Sequence, residues 1–258
     1  MRTQPGPRRE LERRDRASPA TVWVRRIAAE AVGTFALTFV AVGADAAGRL
    51  SGGEVGPAAR AIAPALLIVA FIYALGDVSG AHFNPIVSLG FAIRRLFPVS
   101  WLVPYWLAQL GGAIAASIVL RLLFGDAIGA GVSEPHLVSP SAALAIETLL
   151  TWLLVTVILG TADRSRLVGP DAALAVGATI ALCGLIAIPI EGASMNPARS
   201  IGPALLTGRL GDLWIYLAGP AAGSLLAVGM TRLLHGPAVG DEQAAEAAQG
   251  DQDADRAT

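Results

Sequence analysis

Ser79-Gly80-Ala81-His82-Phe83-Asn84-Pro85-Ile86-Val87-Ser88-Leu89-Gly90 and Glu191-Gly192-Ala193-Ser194-Met195-Asn196-Pro197-Ala198-Arg199-Ser200-Ile201-Gly202-Pro203 share one plan. Small residues lead into Asn-Pro, and a short apolar run follows. Asn is a good N-cap and Pro is favoured at the first helical position, so each copy reads as a loop that enters a helix at Asn. The run after each Asn spans about 10 residues, or roughly 15 Å of helix at 1.5 Å rise. That is half of a bilayer core of about 30 Å. Two such half-helices meeting end to end would cross a membrane once, with their N-termini facing each other at its middle.

The rest of the chain suits that setting. Of 258 residues, 54% are hydrophobic and 15% charged, with mean hydropathy +0.59. A soluble domain carries about 25% charge. The net charge of −1 implies no nucleic-acid or other polyanion partner. All 19 basic residues are Arg; the missing lysine rules out Schiff-base chemistry and a P-loop. The one cysteine, Cys183, excludes an intramolecular disulfide and a cysteine metal cluster. His82, His136 and His235 show no ligand spacing, so neither metal nor cofactor is expected. No HExxH or GxSxG pattern points to an enzyme.

Six apolar blocks, about 25–47, 61–78, 101–124, 141–162, 171–190 and 212–234, each approach the ~20 residues a spanning helix needs. Residues 1–24 and 235–258 read as disordered cytoplasmic tails, the first basic, and no removable signal peptide is expected. Arginine placement sets the orientation. With the N-terminus in the cytoplasm, the inner side receives Arg2, Arg8, Arg9, Arg13, Arg14, Arg16, Arg25, Arg26, Arg94, Arg95, Arg164, Arg166, Arg232 and Arg256. The outer side receives Arg49, Arg60, Arg121, Arg199 and Arg209. The chain also repeats itself: Glu30 in the first span and Glu147 in the fourth precede their Asn-Pro by similar stretches. Three spans per repeat, about 25–124 and 141–234, force the copies to be inverted, a known transport architecture.

SGAHFNP, GASMNPARS with IGPAL, and AExxGT in the first span resemble the aquaporin (major intrinsic protein) family over about residues 25–234. The resemblance implies an all-α membrane protein with six transmembrane helices and two re-entrant half-helices. It implies a homotetramer with one pore per subunit, passing water or small uncharged solutes and excluding ions, while length and composition point to the plasma (inner) membrane. It places Asn84, Pro85, Ile86 and Asn196, Pro197, Ala198 at mid-pore. Ile86 departs from the family's Ala and is expected to alter pore width or loop packing.

In such a pore the carbonyls of Gly80, Ala81 and His82, and of Gly192, Ala193 and Ser194, would form an acceptor ladder. Asn84 and Asn196 would point NH2 donors at the permeant while their oxygens cap the helices. The two helix N-termini each present roughly +0.5 charge, a barrier to cations. By resemblance, Arg199 forms the outer constriction with Pro64, Gly184 and Ala193. Relatives selective for water have an aromatic and a His there, and glycerol facilitators have Trp and Phe. This set is small, so a wide filter is expected, passing water and solutes such as glycerol, urea or metalloid hydroxides. Ser200 matches water channels, and Tyr216-Leu217 is mixed.

Glu30 and Glu147 are intramembrane carboxylates, and the family uses them to hold the loops. Asp77 reads as a solvated mouth residue, His82 as lining the inner mouth, and Cys183 as a small buried hydrophobe. Small residues such as Gly112, Gly219 and Gly223 read as helix-crossing positions. A coupled secondary transporter and a non-conducting family member are the competing readings. The first needs an ion site at the midplane, where this chain offers two amides.

Overall fold

The computed structural model describes residues 19–162 and 170–236; Arg164, Arg166 and most of both tails lie outside them. Helices run in the order α1 (Pro19–Leu50), α2 (Pro57–Ser79), α3 (Pro85–Ile93), α4 (Leu102–Phe124), α5 (Pro140–Thr161), α6 (Pro170–Glu191), α7 (Pro197–Thr207) and α8 (Ile215–His235). Short 3-10 turns cover Val99–Trp101 and Gly125–Gly131. No strand occurs among the described residues. Six of the helices open on proline, whose fixed φ and missing N–H suit the first helical position. Among the described residues six helices are long and apolar enough to cross a membrane, and α3 and α7 are the half-helices, 9 and 11 residues long.

One boundary departs from the sequence reading. The first helix begins at Pro19, so residues 19–24, expected in the tail, are helical. Trp23 stacks on Trp101 with ring centroids 3.9 Å apart, and Arg26 lies 4.9 Å over the same indole. These contacts tie the first turns of α1 to the start of α4.

Packing follows the inverted repeat. The α1–α4 contact matches α5–α8, α3 on α8 matches α7 on α4, and α2 and α6 pack on each other. Backbones approach closely where the sequence supplies glycine. A Cβ on Gly112 would lie 2.2 Å from the Ala31 carbonyl oxygen, and one on Gly223 would lie 2.3 Å from that of Thr148. These are the α1–α4 crossing and its α5–α8 mate, and small residues are what allow membrane helices to approach so closely.

Candidate functional site

Two loops are bent into hooks of the same conformation, one in each inverted repeat. Ser79 ends α2, and Gly80 follows at φ +90° with its N–H on the Gly76 carbonyl. Glu191 ends α6, and Gly192 follows at φ +92°. Left-handed residues then recur in register: Ala81 and Phe83 at +51° and +48°, Ala193 and Met195 at +41° and +54°. Non-glycine residues there cost of order 1–3 kcal/mol each and persist only where the surroundings over-determine them.

Buried carboxylates supply that determination. Glu30 Oε1 accepts from the Ser79 hydroxyl at 2.7 Å and from the His82 N–H at 3.0 Å. Its Oε2 accepts from the Phe83 N–H and the Gln109 amide, both at 2.8 Å. In the second repeat Glu147 accepts from the N–H groups of Ser194 at 2.5 Å and Met195 at 2.8 Å. Both glutamates are fully buried. The hydroxyls of Tyr105 and Tyr216 complete the pair, donating to the carbonyls of Ser79 at 2.8 Å and Glu191 at 2.6 Å. Tyr216 is thus a structural tie shared by both halves.

The loops meet through their asparagines. Asn84 Oδ1 caps α3 by accepting from the Ile86 N–H at 3.0 Å, and Asn196 Oδ1 caps α7 from Ala198 at 3.1 Å. Asn84 Nδ2 donates across to the Met195 carbonyl at 2.8 Å, and Asn196 Nδ2 donates to Phe83 at 2.9 Å. One amide hydrogen of each therefore locks the loops together, and the other remains for the lumen. The sequence reading assigned the whole NH2 to the permeant; the structure divides it.

A cavity of about 70 Å³ runs past this junction, several times the space one water needs. Asn84, Asn196, Arg199, Pro64, Gly184 and Ala193 all line it, with Ala81, His82 and Ser194 along the loops. Asp45 and Arg60 line it beside Arg199, and the rest of the wall is largely apolar, including Leu37, Ile68, Ile72, Val87, Leu154, Ile158 and Val176. Gly192 lines the vestibule at the Arg199 end. Gly80, expected in the acceptor ladder, is not among the lining residues; its left-handed φ makes it the cap of α2. Ile86 is also away from the lumen: it is 6% exposed and sits in the apolar core, so it fills packing space and does not narrow the pore. Pro85, Pro197 and Ala198 are buried at the helix starts.

His82 packs among Phe91, Phe97 and Tyr105, with Nδ1 2.9 Å from the Ser88 hydroxyl. Asp77 is exposed and does not line the cavity. Cys183 is 2% exposed, lies outside the cavity lining, and turns its thiol toward the Leu150 carbonyl at 4.0 Å. Mercurials are accordingly expected to leave water flux unchanged. A block in stopped-flow vesicle shrinkage that Cys183→Ser removes would contradict this placement.

Arg199 is only 5% exposed. Its Nη1 donates to the Ser133 hydroxyl, and its Nη2 lies 3.5 Å from Asp45. Ser200 bridges Ser194 at 2.5 Å and Ser133 at 2.9 Å, linking the second hook to the segment that follows the second 3-10 turn.

Several functional residues escaped the sequence reading. Glu191 Oε1 accepts the Ala193 N–H at 3.0 Å, as Ser79 Oγ accepts that of Ala81 at 3.1 Å. Each stands five residues before its Asn, a signal that aligning the repeats would have exposed. Gln109 and Ser133 carry no comparable local signal, and Asp45 is visible only as a carboxylate near the end of the first span, with no sign of its partners.

The fold and this geometry have relatives. A family model described as "Major intrinsic protein" matches residues 17–230. Aquaporin NIP1-1 of Zea mays is 43% identical over 203 residues, which is 79% of this chain and 72% of that protein. Probable aquaporin NIP4-2 of Arabidopsis thaliana is 40% identical over 208 residues, covering 80% and 74%. The X-ray structure of the aquaglyceroporin from Plasmodium falciparum superposes with a TM-score of 0.73 at 25% identity, covering 81% of this chain and 95% of that one.

Proposed function

This chain belongs to the major intrinsic protein family, and we propose that its pore passes water together with small uncharged solutes such as glycerol, urea or metalloid hydroxides, while excluding ions and protons. It is a passive, aquaporin-type channel. One observation carries the finer reading: two capped helix N-termini, cross-bonded through Asn84 and Asn196, meet beside a lumen with one polar edge and an apolar wall. The opposed dipoles disfavour cations, while the amide hydrogens and loop carbonyls replace water contacts of a neutral guest.

The breadth of the solute range is supported by the side chains around Arg199. Pro64, Gly184 and Ala193 put neither an aromatic ring nor an imidazole into the lumen. Similarity to an aquaglyceroporin fits the same reading. Glu30 and Glu147, the carboxylates a coupled transporter would use, are taken up by loop N–H groups. The arginine distribution supports a multi-pass inner-membrane protein with both termini cytoplasmic, which puts the Arg199 mouth outside. Assembly as a homotetramer is part of the same proposal.

The test is a stopped-flow panel on proteoliposomes with water, glycerol, urea and boric acid. All are expected to pass, without saturation and without dependence on a proton gradient. Passage of water alone would refute the wide filter, and gradient dependence would refute passivity.

A further inference from the structure

The outer mouth holds a charge arrangement that the filter arginine alone does not explain. Asp45, near the end of α1, carries a carboxylate whose side chain is 8% exposed. It stands between two guanidinium groups: Arg60 Nη1 is 3.2 Å from Oδ1, and Arg199 Nη2 is 3.5 Å from Oδ2. Arg60 lies on α2, four residues and about one turn before Pro64, and both line the same cavity. The three residues come from different parts of the chain, and all three face the lumen.

The electrostatic consequence is specific. A carboxylate in contact with the filter arginine cancels its charge for any ion approaching from beyond the pair. Paired with Asp45 alone, Arg199 would present a neutral mouth. The second guanidinium restores one net positive charge to the cluster. His136 also lines this vestibule. We propose that Arg60 is a specificity-determining residue of the outer filter: it supplies the net positive charge that repels cations, because Asp45 neutralises Arg199. Asp45 in turn positions both guanidinium groups against the wall, keeping the lumen beside them open to solutes.

This rests on the reading that the pore excludes cations. The test uses the full-length protein in liposomes at pH 7.5, comparing proton flux under a valinomycin-set potential with water flux in the same vesicles. Arg60→Gln leaves Asp45 paired with Arg199, so no buried carboxylate is stranded. The ratio of proton to water flux is expected to rise about tenfold, as removal of a unit charge at a narrow pore implies. Adding Asp45→Asn to Arg60→Gln uncovers Arg199 and is expected to return the ratio to the wild-type value. A wild-type protein that is itself leaky would overturn the exclusion reading and the inference together. A tight wild type with an equally tight Arg60→Gln variant, or a double variant as leaky as the single one, would overturn the role of Arg60 alone. Should Arg60→Gln show no water flux, Arg60→Ala with and without Asp45→Asn gives the same comparison.

Discussion

Glu30→Ala is expected to abolish channel activity by preventing the first hook from forming. Glu30 accepts from the Ser79 hydroxyl, the His82 and Phe83 N–H groups and the Gln109 amide, all in a fully buried setting. Removing it strands the Ser79 hydroxyl and the two N–H groups and leaves Gln109 Nε2 with Ser88 alone, and each buried unsatisfied group costs about 1–3 kcal/mol. Two of the residues whose conformation it holds, Ala81 and Phe83, are left-handed and not glycine. The total is on the order of 5–10 kcal/mol, comparable with the whole stability of a typical domain. Purified variant protein should be scarce, melt early in detergent and show no water flux above empty liposomes. Glu147→Ala strands only the Ser194 and Met195 N–H groups and should be milder. Equal or reversed severity of the two variants would show that the hydrogen-bond count does not set the cost. A Glu30→Ala protein that conducts normally would remove the anchor role entirely.

The same hooks show what the sequence could and could not convey. Asn-Pro cues fix α3 and α7 because capping is local: the side chain bonds an N–H two residues on, and proline presets the next φ. Glu30 and Glu147 stand out because a carboxylate in an apolar span must have a partner. The Ile86 and Asp45 environments are different in kind. A spanning helix is apolar toward lipid and toward its neighbours alike, so its pattern does not say which face meets the lumen. Ile86 carries no mark that it faces the core while Val87 faces the pore. Asp45 and Arg199 lie 154 residues apart and meet only because α1 packs beside α7. Glu191 is an intermediate case. Its role is visible once the repeats are aligned on their asparagines, since it occupies the place of Ser79 and makes the same bond to the residue two positions on. A glutamate there breaks the symmetry in residue type while keeping it in hydrogen bonding, so a search for repeated letters passes over it.

Gly184→Phe is expected to convert a pore open to solutes into one that passes little besides water. Gly184 lies on α6 at the level of the lumen where Ala61 and Pro64 of α2 form the facing wall. A Cβ at this position would lie 3.0 Å from the Ala61 Cβ and 3.4 Å from Ile188 Cδ1. Ala61 Cα lies 3.3 Å away as well, so α2 must yield by a few tenths of an ångström to admit the new side chain. The ring beyond it has no room between α2 and α6 and must turn into the lumen. The cavity measures about 70 Å³ in all, so a ring at this level takes up much of the space a solute needs. Glycerol would have to displace the ring, and a barrier of ~2.7 kcal/mol lowers its flux about a hundredfold. Water flux should fall far less, so the readout is the ratio of glycerol to water permeability in the same vesicles. Gly184→Ala separates crowding from occlusion: it adds the Cβ contact without the ring and should leave the ratio near wild type. If Gly184→Phe keeps the wild-type ratio while the protein still conducts water, the width at this level does not govern solute passage. The selectivity would then have to reside at the asparagine junction or at the charged mouth outside it.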